Sequence, residues 1–285
     1  MPHQTNNILI PIDFSEQSFR AVKYAAVIAQ SISVRLNFLY VFEVSETSSV
    51  NITKQHKMAI NQVVKKFEST IITLFDNRSN INQELFIEQG KVYDRILENA
   101  ASLNAIMIIM GCNSADDFKN RFLGSNTLRI MRSSPVPVLA SNHYSNLVKF
   151  KNIILPVDLS KDAKDKLNRA LAMAKFDPEI IIHIVSVVFD ADEFLINRLG
   201  QQLVEVKRVI ENSKVKHTAE IIKCALGYES LGEIISDYAR KIDGDVIMLM
   251  TQQEISNTPY FVSSLAQEII NISEVPVMTI APITS

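Results

Sequence analysis

A chain of 285 residues carrying 29 Lys+Arg against 31 Asp+Glu, with 47% apolar residues, has the composition of a globular protein of about two domains. A formal net charge of -2, with no block of like charge, lacks the electrostatic footprint that a nucleic-acid backbone or an anionic bilayer demands. The two cysteines, Cys112 and Cys224, lie too far apart for a Cys-x-x-Cys site and form no disulfide framework, which points to a reducing, cytoplasmic setting. Residues 1–7 are polar and lack the basic start of a signal peptide, and no apolar run approaches the roughly 20 residues of a membrane span. Partners are therefore expected to be small molecules or proteins.

In chain order, short apolar runs alternate with longer segments of helical period. Strands are expected near 7–13, 35–42, 83–88, 105–111 and 137–141, with helices near 16–31, 52–76, 91–102 and 124–132. Ser15 is placed to cap the first helix, and Phe19, Val22, Ala26 and Ala29 return at the spacing of its buried stripe. Further strands are expected near 152–158, 179–187, 217–224, 245–251 and 276–280, with helices near 161–175, 192–212, 229–242 and 260–273. The runs Ala105-Ile106-Met107-Ile108-Ile109-Met110 and Val246-Ile247-Met248-Leu249-Met250 show no polar alternation, as in strands buried on both faces. Strand–helix alternation with such strands makes a parallel sheet covered by helices.

The chain is also two copies of one unit. Asn7-Ile8-Leu9-Ile10-Pro11-Ile12-Asp13-Phe14-Ser15 returns 145 residues later as Asn152-Ile153-Ile154-Leu155-Pro156-Val157-Asp158-Leu159-Ser160. Val136-Pro137-Val138 returns as Val275-Pro276-Val277, and Gly90 matches Gly227. The repeats span 1–145 and 146–285, with the join in the polar stretch 141–150.

No Gly-x-x-x-x-Gly-Lys-Ser/Thr loop, Gly-x-Gly-x-x-Gly, His-Glu-x-x-His or Gly-x-Ser-x-Gly occurs. Gly90-Lys91 reads as a strand-to-helix turn. His3, His56, His143, His183 and His217 show no ligand spacing; His183 and His217, both in strands of the second repeat, could neighbour one another. In open parallel sheets, ligands bind beyond the carboxyl ends of the strands where the strand order reverses. That rule selects Asp13 and Asp158, and the segments after Met110 and Met250. Asp13 is either an acceptor for a base or ribose or a residue that ties down the turn. Gly111-Cys112-Asn113-Ser114, followed after nine residues by Gly124-Ser125-Asn126 at a helix start, is either a phosphate site or an ordinary helix-capping turn.

On these residues the chain resembles the universal stress protein family, as a tandem two-domain member. The resemblance implies an α/β fold of two tandem five-stranded parallel-sheet domains flanked by helices, like that of the adenine nucleotide alpha hydrolases. The family's ATP-binding branch carries Gly-x2-Gly-x9-Gly-Ser/Thr after strand four. By resemblance Pro11, Asp13 and the backbone near Val41 would meet adenine, Gly111 the ribose, and Ser114, Gly124, Ser125 and Asn126 the phosphates. Mg2+ would be recruited through those phosphates. Ser114 departs from the motif, standing where a glycine is expected, and Asp116 and Asp117 add negative charge partly offset by Lys119 and Arg121. In repeat two, Thr251 stands for Gly111, Glu254 for Ser114, and Ser264-Leu265 for Gly124-Ser125. That pocket is expected to be a pseudo-site retaining Asp158.

The resemblance further implies that Val138-Leu139-Ala140 and Val277-Met278-Thr279 pair within the chain, with a homodimer open as a further step. The leading expectation is a cytoplasmic stress-response regulator that binds ATP or a related adenine nucleotide in its N-terminal repeat. At most slow ATP hydrolysis is expected, since no general base is evident. The alternative is a nucleotide-independent module that presents the helices near 52–76 and 192–212 to a protein partner. An ATP pyrophosphatase-type enzyme fits least, because Asp13-Phe14-Ser15-Glu16 replaces its phosphate loop.

Overall fold

The computed structural model describes residues 6–43, 54–75, 81–112, 125–141, 149–157, 163–189, 193–224, 230–251 and 264–280. Compactness divides the chain into two units, Met1–Gly111 and Cys112–Ser285.

The first unit alternates β1 (Asn6–Pro11), α1 (Glu16–Ser31), β2 (Val34–Glu43), α2 (Lys54–Phe75), β3 (Asn82–Gly90), α3 (Val92–Ser102) and β4 (Ala105–Gly111). Its strands run parallel in the order β3-β2-β1-β4, so the order reverses between β1 and β4. Ile8, Leu9 and Ile10 of β1 and Met107, Ile108 and Ile109 of β4 have no exposed surface, as uninterrupted apolar runs require of strands covered on both faces. Each such side chain contributes about 1.5–3 kcal/mol relative to an exposed position.

The second unit holds α4 (Ser125–Ser133), β5 (Val138–Ser141), β6 (Asn152–Pro156), α5 (Ala163–Ala174), β7 (Ile181–Phe189), α6 (Glu193–Ser213), β8 (Lys216–Cys224), α7 (Leu231–Lys241), β9 (Val246–Met250), α8 (Ser264–Ile272) and β10 (Val277–Ile280). Its strand order is β5-β10-β9-β6-β7-β8, parallel except at β5. There Ala140, Leu139 and Val138 lie antiparallel to Val277, Met278 and Thr279, the two edges that the resemblance singled out. This pairing explains why compactness and sequence repeat divide the chain differently. The last strand of repeat one belongs to the compact unit that contains repeat two.

Both first strands stop short of their expected ends, at Pro11 and Pro156, and the hydrogen bonding gives the reason. In a parallel ladder successive residues point their N–H and C=O groups to alternate sides. Ile12 N–H donates to Leu39 on β2, and Val157 N–H donates to Val185 on β7. The preceding prolines therefore face β4 and β9. Pairing on those sides already ends at Leu9 with Ile108, and at Ile154 with Ile247. Each proline's missing donor thus falls where two strands part, and no ladder bond is lost.

In α1, Ser15 caps as expected, its hydroxyl accepting from Ser18 N–H at 3.2 Å. The buried arc is broader than the expected stripe and rotated from it. Ser18, Ala21, Val22, Tyr24, Ala25, Ala26 and Ile28 are buried, whereas Phe19 and Ala29 are only half-buried. Small residues let this helix pack closely along much of its circumference, which hydrophobic periodicity alone does not register. Ser160, the expected second cap, lies outside the described residues.

Candidate functional site

In the first unit, β1 and β4 part beyond the pairing of Leu9 with Ile108. Beyond Pro11, which is half-buried, Asp13 is exposed and its Oδ1 accepts the Ser15 N–H at 2.9 Å. Partial burial by itself would raise the Asp13 pKa. Hydrogen bonds from the Ser15 hydroxyl and amide, helped by Ser18, outweigh it and hold the carboxyl below its ordinary 3.8. Asp13 therefore does tie down the turn, and it does so as an exposed carboxylate at a strand end.

Between Asp13 and the Ser15 cap, Phe14 adopts φ 61°, a conformation rare for a bulky residue. Its ring is held in place: the Tyr40 ring centroid lies 5.5 Å away, and Lys66 Nζ stands 4.7 Å from the Phe14 centroid. Tyr40 in turn meets Phe42 edge-on at 5.0 Å, and deeper along the same face of β2 Phe38 meets Phe67 of α2 at 5.0 Å. Val41 lies between Tyr40 and Phe42, half-buried and opposite Glu88 of β3. Phe14, Tyr40, Phe42 and Lys66 form a half-exposed wall that sequence reasoning missed. Its partial signal is the period-two Phe38-x-Tyr40-x-Phe42; the contributions of Phe14 and Lys66 come from other elements.

Gly111 ends β4, and a Cβ there would run into the Gln17 carbonyl in the first turn of α1. Glycine at this position lets α1 approach β4, a packing requirement distinct from its proposed place near a ribose. Cys112, next in the chain, is fully buried, which pushes its thiol up to about 12 and leaves it a poor nucleophile. Ser114 and Gly124 lie outside the described residues, as do Asp116, Asp117, Lys119 and Arg121. Ser125 and Asn126 open α4 in the second unit, where Asn126 is exposed and Thr127 buried. Gly90 ends β3 at φ 140° ahead of α3, consistent with the strand-to-helix turn.

In repeat two, Asp158, Gly227 and Glu254 lie outside the described residues. Thr251, in the place of Gly111, is fully buried and donates its backbone N–H to the Ile280 carbonyl at 2.9 Å. His183 and His217 lie on adjacent strands one register position apart, with their side chains on opposite faces of the sheet. His217 lies beside Ile182 in the β7–β8 register, and so projects to the face opposite His183. His183 instead bonds Thr218 Oγ1 at 2.9 Å and Asn152 Oδ1 at 3.2 Å, while His217 Nδ1 meets the Val215 carbonyl at 3.1 Å. Among the described residues no group of three or more His, Cys, Asp or Glu side chains is placed to hold a metal. No helix among them is long and apolar enough to cross a membrane.

Parallel strands flanked by helices, with strand order reversing beside β1 and again beside β6, define a doubly wound α/β protein built twice in one chain. The model of the universal stress protein family matches residues 4–141 and 149–281, and the chain belongs to that family. In fold it is similar to a universal stress protein from Archaeoglobus fulgidus DSM 4304, with 21% identity, TM-score 0.71, and 97% of this chain and 96% of that one covered. It is also similar to a putative universal stress protein from Pseudomonas aeruginosa UCBPP-PA14, with 14% identity, TM-score 0.62, and coverage of 98% and 94%. The search of curated proteins gives no match.

Proposed function

We propose that this chain is a cytoplasmic stress-response regulator whose N-terminal repeat binds an adenine nucleotide, ATP first among the candidates. The observation that carries the reading is the parting of β1 and β4 at Pro11. Exposed Asp13 stands there at a strand end, and β4 ends in Gly111, which brings no side chain to the strand end. Val41 offers backbone polar groups to a base. The residues from Gly111 to Asn126 supply, by their sequence, glycine for close approach and a helix start for phosphate. Mg2+ would be held chiefly by the phosphates. The output of such binding is a nucleotide-dependent surface rather than rapid turnover.

Calorimetric titration of the ligand-stripped chain with ATP and Mg2+ tests this reading. One site per chain is expected, and Gly124→Leu should weaken binding at least about a hundredfold by obstructing the close backbone approach. Two sites, or unchanged affinity in the variant, would refute the assignment. A second reading, a nucleotide-independent interaction module, draws on Ile72 of α2 and Phe194 and Val204 of α6, which are 69%, 75% and 62% exposed. Absence of binding at millimolar ATP, with a stoichiometric protein partner copurifying, favours it.

A further inference from the structure

In both repeats the first strand parts from its neighbour early, and the first helix of each repeat carries a different residue at one equivalent buried position. The repeat register runs without a gap from Asn7/Asn152 into the first helix, so Ala21 of α1 corresponds to Lys166 of α5. Both positions are buried, Ala21 completely and Lys166 to 7% exposure, so Lys166 is not a solvated helix lysine. Its Nζ donates to the Pro156 carbonyl at 2.8 Å.

The direction of that carbonyl locates the amine. Val157 points both its polar groups at β7, its N–H donating to Val185 and its carbonyl accepting from the Ser186 hydroxyl. By the alternation of a parallel strand, the Pro156 carbonyl points to the other side, toward β9. Pairing with β9 has already ended at Ile154 with Ile247. Lys166 Nζ therefore sits where β6 and β9 separate, the counterpart of the place that Ala21 cannot reach between β1 and β4.

We propose that Lys166 is a built-in occupant of the second crevice: its amine, docked on the Pro156 carbonyl at the β6/β9 parting, fills from within a place for which repeat one carries only the short side chain of Ala21. The C-terminal repeat is then a ligand-free copy, independently of which ligand repeat one takes. The slot has the chemistry of a primary-amine site, burying the lysine stem and offering the amine a carbonyl acceptor.

Lys166→Ala empties the slot while restoring the residue of repeat one. The variant is expected to melt below the parent chain. n-Propylammonium chloride, which replaces the three missing carbons and the amine, should raise its melting temperature saturably by about 2–4 °C beyond an equal concentration of sodium chloride. The parent chain should show no such difference. A variant that melts like the parent, or an amine effect equal in both chains or absent from both, overturns the proposal. Should Lys166→Ala fail to fold, the parent chain itself gives the answer. Brief acylation followed by peptide mapping should modify Lys166 at least about tenfold more slowly than exposed Lys23. Comparable rates would sink the idea.

Discussion

At the residue scale, Asp13 ties down the turn after β1 and is exposed while doing so. Its carboxylate accepts the amide of Ser15 and stands exposed at the switch between β1 and β4. Because its folded pKa is depressed below 3.8, the unfolded chain takes up the proton first. The stabilisation is full above the ordinary carboxylate pKa and is lost as pH falls through the lower, folded value. Asp13→Asn should therefore flatten the acid limb of a plot of melting temperature against pH below about pH 4. An unchanged limb would show that the turn is held by Ser15 alone. The same substitution removes an acceptor at the strand end, so it is also expected to weaken nucleotide binding severalfold in the calorimetric titration.

At the scale of single elements, repeat two replaces a neutral amide with a titratable ring. Asn37 of β2 is fully buried and donates to the Asn7 side chain at 3.3 Å and to the Ile8 and Arg35 carbonyls. His183 takes the same register position in β7, bridging Asn152 and Thr218. Asn152 Oδ1 is an acceptor, so Nε2 carries the proton and Nδ1 accepts from the Thr218 hydroxyl. Burial lowers the His183 pKa below its ordinary 6.5. The neutral ring's contribution is thus present above about pH 6.5 and lost as pH falls toward the folded value. His183→Asn, which copies repeat one, should remove this pH dependence from thermal unfolding between about pH 5 and 7. Persistence of the full dependence would assign it to another group.

Legibility at this scale followed the kind of contact involved. Strands such as β4 and β9 were readable because burial on both faces leaves an uninterrupted apolar run. The places of Asp13 and Gly111 at strand ends were readable because strand ends at a switch point are fixed once the element order is known. The buried arc of α1 was misplaced because Ser18, Ala21 and Ala25 carry little hydrophobic signal. The repeated turn before each last strand escaped notice as well. There the Ser134 hydroxyl bonds the Val136 carbonyl at 2.7 Å, and the Ser273 hydroxyl bonds the Val275 carbonyl at 2.8 Å. Phe14 with Lys66, and Lys166 with Pro156, are contacts between elements, which no local spacing encodes.

At the scale of the whole molecule, the chain counts as two repeats by sequence and as two compact units by packing, and β5 is what makes the counts differ. Its strand belongs to repeat one, yet its antiparallel pairing places it against β10. The paired residues are almost wholly buried: Val138, Leu139 and Met278 have no exposed surface, and Thr279 and Val277 show 1% and 2%. Uncovered, β10 would present an apolar edge ready to pair with another chain, so β5 serves as its cover. Leu139→Ala should cost about 2–5 kcal/mol, since it empties a completely buried site. The loss should also be local in hydrogen exchange. Amides of Val277 and Thr279 should exchange faster by a larger factor than those of β3, which lies at the far edge of the first unit. Equal acceleration in β3 and β10 would mean that the chain unfolds as one cooperative body, and β5 would then be no more than a buried strand. A selective change at β10 would establish that repeat one, through its last strand, stabilises the fold of repeat two.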